Sequence, residues 1–260
     1  MKSHRTSQHK ALAKTLPLAL LMASSIVGKA TASELKPLLT QAQQSEIRTD
    51  AEKARDDNRK PVETLAFFGL QPDMKVLELV PGGGWYTKLL APVLRDNGQL
   101  FVAIGTGRIE ENLLDKPGFE KVSVVNVDSN LSRSEGRRTD GTHMSFDVDN
   151  LDMVLTFRNL HNFEEGGRRA INKASFDALK PGGLYGVVDH TRRHMEPENG
   201  ENRRRMDPVR MIKEIESVGF EFVDFSEIHY RPSDALELEL RHEAVAGKTD
   251  RFTLLFKKPN

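Results

Sequence analysis

The chain has 260 residues, enough for one large domain or two small ones, and its 38% hydrophobic and 29% charged residues exclude a disordered or collagen-like protein. Lysine plus arginine and aspartate plus glutamate balance at 38 each, so no global charge draws the chain to nucleic acid or to an anionic membrane. Cysteine is absent, which excludes disulfides, thiolate metal sites, iron–sulfur clusters and a thiol nucleophile together.

The first segment carries Lys2, Arg5, Lys10 and Lys14 with no acidic residue. An apolar stretch from Leu16 to Val27 follows, broken only by Pro17, Ser24 and Ser25, and then the small-x-small site Ala30-Thr31-Ala32. A basic region, a short apolar region and a small-residue ending predict a secretory signal peptide over residues 1–32, cleaved after Ala32. The expectation is therefore an exported, periplasmic protein. The apolar run is too short to span a bilayer, so no stable membrane anchor is expected. Residues 33–59 are polar and helix-prone, and their charged run from Asp50 to Asp57 reads as the solvated face of a helical lead-in.

From residue 60 the pattern alternates. Pro61 opens a helix that Gly69 stops. The apolar run 75–80 reads as a first strand, ended by Pro81-Gly82-Gly83-Gly84 and followed by helical spacing through Trp85, Leu89, Leu90, Val93 and Leu94. Further strands are predicted over 99–104, 122–127, 152–157 and 184–188, the last preceded by a helix over 165–179 and the turn Lys180-Pro181-Gly182-Gly183. After a helix over 208–218, strands over 220–228 and 251–257 follow one another without an intervening helix, which points to an antiparallel pair at the end. The expected fold is α/β: a doubly wound, mostly parallel seven-stranded sheet with helices on both faces and an antiparallel last strand, in one domain over residues 60–260.

In such a sheet ligands bind outside the carboxyl ends of the strands. The glycine turn belongs to that rim, where glycines permit positive φ and close approach, and a following helix N-terminus offers free N–H groups. The turn matches neither G-x-x-x-x-G-K-[ST] nor G-x-G-x-x-G. Arg158, Asn159, His161, Asp189 and His190, which follow the fourth and fifth strands, are expected on the same rim. His161 or His190 can serve as a general base, or the group can be a polar lining that holds its loop. Trp85 and Tyr86 can stack on a ligand or pack the start of the helix. Neither His143 with Asp147, Asp149 and Asp152 nor Asp189 with His190 and His194 has a known ligand spacing, so no metal is expected. Arg192, Arg193, Arg203, Arg204, Arg205 and Arg210 can steer an anionic acceptor or form a solvated lid paired with Glu196, Glu198 and Glu201; the mixed signs favour the lid, and no aromatic residues interleave with them to support nucleic-acid binding.

The segment Val76-Leu77-Glu78-Leu79-Val80-Pro81-Gly82-Gly83-Gly84 resembles the first motif of the class I S-adenosylmethionine-dependent methyltransferases, an acidic residue before a glycine-rich loop. Asp152 to Phe157 resembles their fourth-strand motif, Leu179 to Gly183 the turn before strand five, and Gly219-Phe220 the turn before strand six. More narrowly, residues 81–87, 156–162, Asp189-His190, 205–208 and 247–252 resemble a family of exported bacterial proteins described as predicted methyltransferases. The resemblance implies S-adenosylmethionine as cofactor, with Glu78, Gly82, Gly83, Gly84, Tyr86, Asp128, Arg158 and Asn159 around it. It implies His161, His190 and Asp189 as catalytic residues, and a small-molecule or envelope-associated methyl acceptor. Two positions depart from the family pattern. Val80 stands where its first glycine belongs, and Ile104 or Gly105 stands where an acid grips the ribose. The alternative reading is a non-catalytic small-molecule-binding protein on the same fold; a metal-assisted hydrolase is a third.

Overall fold

The computed structural model describes Met1 and residues 32–134 and 138–260; residues 2–31, which carry the expected signal peptide, lie outside that description. Helices α1 (Ala32–Gln44), α2 (Asp50–Lys53) and α3 (Asp56–Arg59) lead into α4 (Pro61–Phe67). Pro61 fits the first turn of α4, where no intrahelical N–H partner is needed.

Strands β1 (Lys75–Leu79), β2 (Gln99–Ala103), β3 (Ser123–Val124), β4 (Leu151–Phe157), β5 (Leu179–His190), β6 (Glu221–Ser226) and β7 (Arg251–Lys257) form one seven-stranded sheet in the order β6-β7-β5-β4-β1-β2-β3. The pairs from β3 to β5 are parallel, while β7 runs antiparallel to both β5 and β6. This is the doubly wound sheet expected, with the antiparallel strand inserted inside the edge. Helices α5 (Thr87–Leu94), α6 (Gly107–Asn112), α7 (Glu165–Ala178) and α8 (Pro208–Glu216) complete the layers.

Alternation along each strand divides the core in two. Val76, Val102, Met153 and Leu155 pack with Leu39 of α1, Leu65 of α4 and Leu89, Leu90 and Val93 of α5. Leu77, Leu79, Val154, Tyr185 and Val187 pack on the other face with Ile171 and Ala174 of α7 and Met211 and Ile215 of α8. By the same alternation Glu78 points to the α5 face, where nothing but its own partners can satisfy it.

Three local outcomes differ from the expectations. Strand β3 stops at Val124, because Val127–Ser129 leaves the sheet to pair with Met144–Phe146 in a separate ribbon. Strand β5 starts at Leu179, and the turn from Lys180 to Gly183 is looped out of its ladder, since Leu151 pairs with Leu179 and Met153 with Leu184. The arginine-rich segment is a solvated lid only in part: Arg193 and Arg210 are exposed and Arg192 pairs with Glu198, but Arg192 is itself buried, and Arg205 is fully buried and paired with Asp234 at 2.9 Å. Among the described residues no helix is long and apolar enough to cross a membrane.

Candidate functional site

The rim at the carboxyl ends of β1, β2 and β4 is built from backbone that turns left-handed. Val80 (φ 51°), Ile104 (φ 69°) and Arg158 (φ 62°) each follow the end of their strand directly. A β-branched residue at positive φ costs roughly 1–3 kcal/mol and persists only where its surroundings fix it. Here they do. The Val80 N–H donates to the Ala103 carbonyl at 2.8 Å, the Asn159 side-chain amide donates to the Val80 and Phe157 carbonyls at 3.1 Å each, and the Arg158 N–H donates to the Val188 carbonyl at 2.6 Å.

The glycine turn sits on this frame. Gly82 has φ 62°, and a Cβ built there or on Gly83 meets only the Arg108 guanidinium, at 3.5 and 4.0 Å. Gly84 (φ 81°) has another purpose, because a Cβ there would come within 2.5 Å of Leu113 and 2.9 Å of Ile109. Its hydrogen permits the turn to rest on α6.

A cavity of about 300 Å³ opens above the turn, lined by Glu78, Val80, Pro81, Gly82, Gly83, Trp85, Tyr86, Phe157, Arg158 and Asn159 from the sheet side. Glu52, Arg55 and Arg59 close it from α2, α3 and the link between them, and Arg108 flanks it from α6. The aromatic floor is tightly stacked: Tyr86 lies on Phe157 at 3.5 Å with 10° between the rings, and Trp85 meets Tyr86 edge-on at 4.7 Å. The Trp85 indole N–H donates to the Glu52 carbonyl at 3.0 Å, and Lys88 binds the Glu52 carboxylate at 2.9 Å. These bonds fix the lead-in helices over the cavity.

Glu78 is the one acidic side chain at the base of the cavity. The Thr87 hydroxyl donates to it at 2.6 Å. Burial pushes its carboxyl up to about 7, against that hydrogen bond and the positive charge of Arg59, which both pull it down. Arg59 is buried, its guanidinium over the Trp85 ring at 4.2 Å, and burial followed by the like charge of Arg158 pushes it down to about 8. Arg158 is pushed down as well, chiefly by burial. Arg251 stands behind them, donating to the Asn58 carbonyl at 2.8 Å, and burial and Arg158 push it down to about 10.

A second polar group lies outside the cavity lining. Asp189 is fully buried and takes the His161 Nδ1–H at 2.6 Å, the His161 backbone N–H at 3.1 Å and the His190 backbone N–H at 2.8 Å. His190 contacts the Thr249 hydroxyl through Nδ1 at 2.8 Å, and burial, then His161, then the neighbouring arginines hold it well below the usual histidine range. Nitrogen and oxygen atoms of His161, Asp189 and His190 lie within 4.8 Å of one another, close enough to hold a metal ion. The carboxylate already accepts three N–H donors, and Arg158, Arg205 and Arg251 add positive charge around His190. Both facts disfavour a cation there.

Of the residues expected around a cofactor, Glu78, Gly82, Gly83, Tyr86, Arg158 and Asn159 do line one cavity. Gly84 does not, being a packing position. Asp128 does not either: it is exposed on the ribbon that leaves the sheet, 3.3 Å from His143. The early stop of β3 carries it away from the rim. His161, Asp189 and His190 form a single cluster next to Arg158 rather than inside the cavity. The sequence reading missed Arg55, Arg59, Arg108 and Arg251. Arg55 and Arg59 were concealed in or next to a charged run, although their spacing of four places both on one helical face.

No family model matches the chain, and no curated protein matches it. Solved structures do match in fold. A SAM-dependent methyltransferase from Aquifex aeolicus is 16% identical with a TM-score of 0.55, over 88% of this chain and 99% of that one. The [4+2]-cyclase SpnF is also 16% identical with a TM-score of 0.55, over 86% and 92%. The glycopeptide N-methyltransferase MtfA, in its complex with sinefungin, is 15% identical with a TM-score of 0.52, over 79% and 87%. The likeness identifies the fold as that of the class I methyltransferases.

Proposed function

We propose that the protein is an S-adenosylmethionine-dependent methyltransferase whose cofactor occupies the cavity at the glycine turn. The observation that supports this most is the meeting of Glu78, the open faces of Gly82 and Gly83, and Arg59 in one cavity on the strand-end rim. The amino-acid end of the cofactor carries one ammonium and one carboxylate. Glu78 suits the first and Arg59 the second, and Arg59 is near enough to Glu78 to lower its pKa. The ribose has no acid on β2 to grip it, since Ile104 and Gly105 follow that strand. The fit therefore rests on the amino-acid end. Bound there, the cofactor supplies an electrophilic methyl group on a sulfonium.

The chain's own residues then align and deprotonate an acceptor. Asp189 holds the proton of His161 on Nδ1, which leaves Nε2 as a proton acceptor, the arrangement of an oriented general base. The His190 backbone N–H helps to hold the Asp189 carboxylate, and burial keeps its own ring well below the usual histidine range. The leader expected over residues 1–32 supports work outside the cytoplasm on a small-molecule or envelope-associated acceptor. The arginine excess of the cavity favours a second reading, a binding protein for another ligand on this fold.

Methyl-labelled S-adenosylmethionine offered with an envelope extract tests the first reading. The protein should transfer label, and Asp189→Asn should bind S-adenosylhomocysteine as before yet transfer about 10²-fold more slowly. Equal transfer by the variant removes the His161–Asp189 pair from the mechanism. No transfer by the wild type contradicts the reading itself.

A further inference from the structure

Among the described residues, seven arginines are buried: Arg48, Arg59, Arg138, Arg168, Arg192, Arg205 and Arg251. Five of them form an ion pair with a carboxylate: Arg48 with Asp56, Arg138 with Glu164 and Glu198, Arg168 with Glu214, Arg192 with Glu198, and Arg205 with Asp234. The fold thus follows the rule that a buried charge is paired. Arg59 and Arg251 form none; Arg59 lines the cavity, and Arg251 lies behind it, near enough to push Arg59 down by its like charge. Half-buried Arg158 and the exposed Arg55 and Arg108, which line it with Arg59, form none either. Glu52 is committed to Lys88, so Glu78 alone opposes four guanidinium groups on the lining.

That imbalance is costly. Arg158 is the largest like-charge influence on both Arg59 and Arg251, and Arg55 adds to it on Arg59, Arg158 and Arg251. A zwitterionic amino-acid group uses Arg59 and Glu78 and leaves Arg158 and Arg55 facing the same space with no ion-pair partner. A planar guanidinium fork matches the oxygens of a carboxylate or phosphate two at a time, and it does so most strongly where water is excluded.

We infer that Arg158, with Arg55, is an anion seat, and that the methyl acceptor is a small organic anion held there by its carboxylate or phosphate. The assignment of that anion as acceptor rests on the methyltransferase reading; the anion seat does not. Arg158 extends from the left-handed residue after β4, three residues before His161. An acceptor anchored by its charged end on Arg158 is thereby placed on the rim shared by the glycine turn and the histidine. Arg251, tied to the Asn58 backbone, keeps the positive field behind the seat and also fixes α3, which carries Arg59.

The chain's single tryptophan, Trp85, lines this cavity and reports on it without a label. The full chain is titrated separately with malonate, inorganic phosphate and the uncharged malonamide, each with and without S-adenosylhomocysteine, while Trp85 fluorescence is read. Saturable binding of malonate or phosphate, absence of malonamide binding, and weakening by added salt are expected. Whichever anion binds more tightly identifies the anionic group. Arg158→Gln should weaken anion binding at least about tenfold, and Arg158→Lys should recover part of it as a point charge without the fork. If Arg158→Gln does not fold, exposed Arg55→Gln should still weaken the anion. No anion binding alongside retained S-adenosylhomocysteine binding overturns the seat and leaves the methyltransferase reading standing. Anion binding that depends on Arg158, without any S-adenosylhomocysteine binding, keeps the seat and overturns the methyltransferase reading. Anion binding equal in Arg158→Gln, Arg55→Gln and wild type overturns the seat.

Discussion

The Arg59 guanidinium lies over the indole of Trp85 at 4.2 Å and has no carboxylate partner, although it is as buried as the core around it. The attraction of such a stack is about 1 kcal/mol, similar in size to the repulsion from neighbouring arginines that it must offset. Arg59→Met keeps most of the side-chain volume and removes both contributions together with the burial penalty that holds Arg59 down at about 8, so unfolding stability should be unchanged or higher. Arg205→Met should lose roughly 3–5 kcal/mol, because it strands the buried Asp234. Urea unfolding of the two variants checks the contrast. A large loss in Arg59→Met would mean that Arg59 supports the fold and is not held in reserve for a ligand.

Glu78 sets a pH dependence of known sign. Its ordinary value of 4.5 rises to about 7 in the folded protein, so between those values the folded state holds a proton that the unfolded chain has released. Stability contributed by this group is therefore full below about pH 4.5 and lost as pH rises to about 7, by roughly 3 kcal/mol in all. Glu78→Gln still accepts the Thr87 hydroxyl and has no proton to lose. Its stability relative to wild type should rise between roughly pH 5 and roughly pH 8. Urea midpoints at both ends measure this, and parallel curves for the two proteins would show that Glu78 is ionised in the fold.

Gly84→Ala should destabilise through two additive causes. The new Cβ would lie 2.5 Å from Leu113 and 2.9 Å from Ile109, and the residue has φ 81°. Overpacking and positive φ together cost about 2–5 kcal/mol. Thermal denaturation of the variant reads this directly. A melting temperature equal to wild type would mean that the turn gives way to α6 without strain.

The sheet was legible because its signals are local and repeat: apolar runs of strand length, each closed by glycine, proline or asparagine, alternate with helical spacing. The family pattern places a glycine at position 80, and the structure meets that demand with a valine at φ 51°. That conformation was not read from the sequence, because a β-branched residue argues against positive φ. What escaped the sequence was long-range. Asp128 follows a run that reads as one strand, yet pairing with Met144–Phe146 ends that strand at Val124. Arg251 begins the antiparallel strand inside the edge, far along the chain, and reaches the backbone of Asn58 only after the sheet has formed. A charge run looks the same whether it faces water or a cavity, so the spacing of four between Arg55 and Arg59 marked a shared face but not what that face meets. The pairing of Arg205 with Asp234 was equally invisible, since its partner lies 29 residues on.

The central claim is that the glycine turn binds S-adenosylmethionine. Isothermal titration of the protein with S-adenosylhomocysteine, repeated on Gly83→Asp, tests it most directly. Gly83 has room for a side chain, the nearest atom to its Cβ being the Arg108 guanidinium at 4.0 Å, so the variant should fold while its carboxylate fills the cavity. Micromolar binding by the wild type, lost in Gly83→Asp at unchanged melting temperature, is the predicted result. A folded wild-type protein that gives no heat of binding would contradict the claim.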